Sequence, residues 1–120
     1  MEKKYDLEDR TLRFSRVVLA LLKEIIETKA TQDLVRQLAR SATSVGANYL
    51  EANDSLGLRD FNMKIKIARR EAKEARYWLE LLDCPEHLNG ARIRLSDEAN
   101  QLVRILSAIA QKLDMRIKSG

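Results

Sequence analysis

One apolar seam constrains this chain more than any other feature. Leu58, Phe61, Ile65, Ala68, Ala72, Ala75, Leu79 and Leu82 recur at alternating steps of three and four residues. That spacing keeps an apolar stripe on one side of an α-helix, whereas a strand would scatter the same residues over both faces. It is also the seam spacing of helices that pack lengthwise on one another. Breakers are rare: 120 residues hold one proline, Pro85, and four glycines, Gly46, Gly57, Gly90 and Gly120. So few turns cannot serve a many-stranded sandwich or barrel, and the length fits one domain.

Three further segments carry the same period. The first predicted helix spans about residues 7–28, with Phe14, Val18, Leu21, Leu22 and Ile25 on its inner side. Thr31 reads as an N-cap, and Asp33 places negative charge in the following first turn. A second helix, 32–54, carries Leu34, Leu38, Ser41, Val45, Asn48 and Ala52, and ends in the turn cluster Asn53 to Gly57. The seam itself occupies a third helix, 58–83, closed by Pro85. A connector, Glu86 to Gly90, leads to a fourth, 90–117, with Leu95, Ala99, Leu102, Leu106, Ile109 and Leu113. The expectation is one all-α domain over 1–120: an antiparallel up-down-up-down four-helix bundle.

Several classes of function find no support. The longest apolar run, Val17 to Leu22, is far short of the ~20 residues of a membrane span. The opening MEKKYDLEDR turns acidic where a signal peptide becomes apolar, and the lone Cys84 allows no internal disulfide, so a cytoplasmic location is expected. A di-iron site in a bundle needs two Glu-x-x-His pairs. Here the one histidine, His87, sits in the connector, and the Glu71 and Glu74 pair has no matching set, so no metal or cofactor is expected. Cys84 and His87 lie close enough to name as nucleophile and base, but a small apolar residue at a helix end beside a solvated histidine explains both. Gly46 and Gly57 stand alone, without the Gly-Lys-Ser/Thr of a phosphate loop. The chain reads as a non-enzyme.

Three surface patterns remain. On the third helix Arg59, Lys66, Arg69, Arg70 and Lys73 form a stripe, most of it away from the seam. Such an array suits phosphate contacts, and it also suits an ordinary solvated face. The chain as a whole is mildly basic, with 22 Lys and Arg against 18 Asp and Glu, a net +4. The same helix has a second apolar stripe, Met63, Ile67, Trp78 and Leu81, with Glu74 among them. It predicts either contact with another subunit or a bundle wide enough to bury two stripes. On the second helix Ala39, Thr43, Ser44, Gly46 and Ala47 make an outer side poor in charge, where Arg40 and Glu51 are placed to pair across a contact. Small residues there fit either a neighbouring subunit or a close neighbour within the bundle.

These residues resemble a known family. The stretch LARSATSVGANYLEA, Leu38 to Ala52, is similar to the central signature of the four helix bundle proteins. These are also called bacterial ribosomal-RNA intervening-sequence proteins, being encoded in insertions within large-subunit rRNA genes and elsewhere. Asp60-Phe61, Lys66-Ile67-Ala68, Glu71-Ala72 and Tyr77 to Leu82 match its second signature, and Tyr5 to Phe14 fits its opening. The connector Cys84 to Arg94 matches only loosely. The resemblance implies a homopentamer and kinship with the accessory variability determinant of diversity-generating retroelements, a basic pentamer that associates with a reverse transcriptase and nucleic acid. It implies no catalytic activity. Assembly into a pentamer would multiply the +4 to about +20 around one axis. The expectation is therefore a nucleic-acid-binding homopentamer, or alternatively a protein-interaction scaffold such as a reverse-transcriptase accessory subunit. The expected nucleic-acid residues are Arg59, Lys66, Arg69, Arg70 and Lys73. Arg40, Thr43, Ala47, Glu51, Met63, Ile67, Glu74 and Trp78 are expected at the subunit interface.

Overall fold

The computed structural model describes residues 3–120, with side chains from Leu7 onward. Met1 and Glu2, and the side chains of Tyr5 and Asp6 used in the reading of the N-terminus, lie outside the described residues. Four helices follow in order: α1 (Lys3–Lys23), α2 (Gln32–Asn53), α3 (Leu58–Leu81) and α4 (Glu86–Ser119), with no strand among the described residues. The α3 helix packs along both α2 and α4, while α1 rests on α2 and meets α4 least. Cross-helix contacts run in opposite chain order. Arg40 meets Glu71 and Glu51 meets Lys64, and Glu80 meets Ser96 where Lys66 meets Asp114. Neighbours are thus antiparallel, and the architecture is a four-helix bundle. The 34 residues of α4 span about 51 Å at 1.5 Å per residue, which accounts for the 51 Å long dimension.

The seam behaves as its spacing requires. Ile65, Ala68, Ala72, Ala75 and Leu79 are fully buried, whereas Leu58 and Phe61, at the open N-terminal end, reach solvent. On α2, Leu38, Ser41, Val45 and Ala52 are buried as expected, joined by Val35, Ala42 and Tyr49. That helix lies between α1 and α3, so its inward face is broader than a single stripe. On α4 the core position falls on Ala110, with Ile109 packed at the core's edge. A four-residue step from Leu106 to Ala110 holds the seam in place, because a straight helix of period 3.6 drifts from a strict 3.5 repeat.

Two boundaries differ from the sequence reading. The first helix ends at Lys23, five residues before Thr28. Its last turn tightens, with the amides of Glu24 and Ile25 donating to the carbonyls of Leu21 and Leu22. Ile25 stays buried without being helical. The fourth helix begins at Glu86, not near residue 90. Pro85 precedes it with φ −56°, a value suited to a helix entrance, and the Leu88 amide donates to the Pro85 carbonyl at 2.9 Å. The expected connector Glu86 to Gly90 is therefore helix, Gly90 marks no joint, and Leu88 is delivered into the core. Thr31 does precede α2, but its hydroxyl accepts from the Thr28 amide at 2.9 Å rather than capping the helix.

Gly46 corrects another reading. It is buried rather than on the outer side of α2, and a Cβ there would lie 3.0 Å from the Thr11 hydroxyl oxygen of α1. Close approach is the reason for glycine at this site, with a helix of the same chain as the neighbour. Beside it the Ser15 hydroxyl donates to the Ala42 carbonyl at 3.1 Å, tying the same two helices.

Candidate nucleic-acid interface

Helix α3 presents three sides: the buried seam, a flank towards α2 and a flank towards α4. The five cations Arg59, Lys66, Arg69, Arg70 and Lys73 come together along the α4 flank. They line one open groove of about 700 Å³ with Asn62, Met63 and Ile67 of the same helix, and Asp114 and Ile117 of α4. From Arg59 to Lys73 the array extends about 21 Å along the helix axis. Helical repetition produces this clustering. Steps of three, four and seven residues return side chains to one side of a helix, and the C-terminal end of α4 supplies the opposite wall.

The groove's charges are only partly compensated. Lys66 Nζ lies 3.0 Å from Asp114 Oδ1, and the Asn62 side-chain amide donates to the same oxygen at 2.8 Å. The hydrogen bond from Lys66, then that from Asn62, holds the Asp114 carboxyl below its ordinary value of 3.8. Arg59, Arg69, Arg70 and Lys73 have no acidic partner among the described residues. A row of unpaired cations with two apolar side chains beside it can take anionic oxygens along its edge and the faces of bases or sugars against Met63 and Ile67.

The α2 flank is arranged differently. Arg40 binds two carboxylates of its own chain, Glu71 at 3.1 Å and Glu74 at 2.7 Å. Glu51 accepts from Lys64 at 3.1 Å. Arg40, Glu51 and Glu74, three residues expected at a subunit interface, thus have ion-pair partners within the chain. The Thr43 hydroxyl donates to the Ala39 carbonyl at 2.8 Å, and Ala47 is exposed. Trp78 is half-buried, packs on the core and meets the Tyr77 ring edge-on at 5.2 Å. The second apolar stripe divides accordingly. Trp78 leans onto the bundle, Met63 and Ile67 line the groove, and Leu81 remains 51% exposed.

Asn62, Asp114, Ile117 and Glu71 are the participants that sequence reasoning missed. Glu71 carried a signal, being a carboxylate three and four residues from the core alanines Ala68 and Ala75, where burial calls for a compensating partner. Asp114 carried none, since it reaches the groove from 48 residues away.

The family model of the 23S rRNA-intervening sequence protein matches residues 3–108. The chain belongs to that family. Its bundle is similar to a crystal structure of a protein with unknown function from the S23 ribosomal protein family of Bacteroides thetaiotaomicron. The two share 31% identity over 86% of this chain and 96% of that one, with a TM-score of 0.75. No curated protein matches. The intervening-sequence match stops at residue 108, so the last turns of α4, with Asp114 and Ile117, lie beyond the part that defines the family here. Among the described residues no helix is long and apolar enough to cross a membrane, and no group of three His, Cys, Asp or Glu side chains is placed to hold a metal ion.

Proposed function

We propose that this intervening-sequence protein is a non-enzymatic nucleic-acid-binding protein that takes the RNA or DNA backbone in the groove between α3 and α4. The observation that carries the reading is the convergence of five cations on one groove, four of them without an acidic partner among the described residues. Each phosphate neutralised there releases condensed counterions, so affinity should fall steeply with salt. Fluorescence anisotropy with a single-stranded RNA and the matching DNA across a salt series tests this. The expected result is binding at low salt with a negative slope of log K against log salt. Absence of binding at low salt, or affinity indifferent to salt, rejects the reading.

The working form we propose is a homopentamer in the cytoplasm. Its support is the family resemblance together with Tyr77 and Leu81, exposed at 59% and 51% on α3 and outside the groove's lining. Light scattering should return five times the chain mass. Leu81→Glu, at a side chain 51% exposed, should lower that mass, whereas Trp78→Ala would confuse assembly with folding. The same exposed side chains suit a second reading, a protein-interaction scaffold, for which the resemblance suggests a reverse transcriptase as the partner. A stoichiometric complex with that enzyme that survives nuclease treatment would support it over direct nucleic-acid binding.

A further inference from the structure

Among the described residues, Asp114 is the single acidic side chain in a groove lined by five cations. Both donors it receives, Lys66 Nζ at 3.0 Å and Asn62 Nδ2 at 2.8 Å, end on one oxygen, Oδ1. Both come from α3, whereas the carboxylate comes from α4. Asn62 is 5% exposed, so its amide is held in place by packing. The Asp114 side chain is 49% exposed, and Lys66 is 41% exposed, so the pair sits in water-accessible space where an ion pair exchanges readily. A fixed amide and a lysine converging on one anionic oxygen is also the donor set that receives a phosphate oxygen.

We infer that Asp114 is an internal competitor for phosphate: its carboxylate holds, on Lys66 and Asn62, the position that a backbone phosphate of the bound nucleic acid takes, and binding displaces it. This rests on the nucleic-acid reading of the groove and adds a regulator to it. The groove of the free protein then offers four available cations, and the fifth becomes available only when a phosphate outcompetes the carboxylate. Affinity is lowered and the lower limit of useful ligand length is raised, because a short strand cannot recover the cost of opening the pair.

The test is anisotropy of a labelled 20-residue oligouridylate with wild type, Asp114→Asn, Lys66→Gln and the double variant, each across a salt series. Asp114→Ser is carried in parallel, and thermal melts check that every variant folds. The expected result is about tenfold tighter binding by Asp114→Asn, with a salt slope steeper by about 0.7, the increment for one more neutralised phosphate on a single strand. Removing Lys66 should abolish that added slope. Unchanged or weaker binding by both folded Asp114 variants overturns the inference, as does a gain that persists undiminished without Lys66. If wild type fails to bind and Asp114→Asn binds, the competitor stands and the reading of the wild-type groove falls. If neither binds, both fall. If wild type binds and the Asp114 variants match it, only the competitor falls.

Discussion

The two flanks of α3 are built from the same residue types and reach opposite electrostatic ends. Towards α2, Arg40 is shared by Glu71 and Glu74, and Lys64 is met by Glu51. Towards α4, five cations face one carboxylate. The first arrangement neutralises a seam between helices and leaves little charge for a partner. The second leaves charge standing in a concave surface, where the field adds up. Net charge alone, +4 for the chain, conceals this division. What distinguishes the two flanks is whether the cations that adjoin α3 meet carboxylates across the helix contact, as Arg40 and Lys64 do, or stand largely without them.

The largest expected effect breaks the comparison outright. Reversing three charges on the α4 flank, Arg59→Glu, Arg70→Glu and Lys73→Glu together, should weaken RNA affinity at low salt by about 10²–10³-fold and flatten the salt slope. Arg40→Glu on the other flank should alter affinity by less than about threefold at matched salt. Equal losses from the two flanks in anisotropy titrations would show that only overall charge matters.

Stability should divide the opposite way. Arg40→Ala strips the guanidinium from Glu71, which is buried at 7% exposure, and should cost about 1–3 kcal/mol in a denaturant titration. Glu71→Gln should recover part of that loss. Arg70→Ala and Lys73→Ala, exposed and without acidic partners among the described residues, should stay within about 0.5 kcal/mol of wild type. In the pair on the edge of the α2 flank, Lys64 with Glu51, the carboxylate is mostly solvated, so a double-mutant cycle should return about 0–1 kcal/mol.

The smallest effect concerns the one acid in the groove. A carboxyl whose folded value lies below its ordinary 3.8 contributes stability above that value and loses it as pH falls through the folded value. The difference in melting temperature between wild type and Asp114→Asn should therefore be constant from neutral pH to about pH 5 and close below 3.8. A difference that grew towards acid would assign the opposite sign to the Lys66 contact.

Much of this was legible in the residues. Alternating steps of three and four identified the α3 seam residue by residue. The central LARSATSVGANYLEA block and the Tyr77 to Leu82 block identified the family to which the chain belongs. The five-cation stripe was legible too, because a helix maps sequence spacing directly onto angle. The fate of Gly46 was not: close approach was readable, but its neighbour, Thr11 of α1, depends on which helices adjoin. Arg40 and Glu51 likewise read as outward-looking until the α3 residues opposite them were in place.

The sequence by itself determined the number of helices, most of their inward faces and the set of side chains that could share an outer stripe, because these follow from the local 3.6-residue period. Tertiary structure alone decided which outer charges are neutralised. That depends on which side chains neighbouring helices bring within about 3 Å. For Asp114 at Lys66, and for Arg40 at Glu71 and Glu74, those partners lie 31 to 48 residues away along the chain.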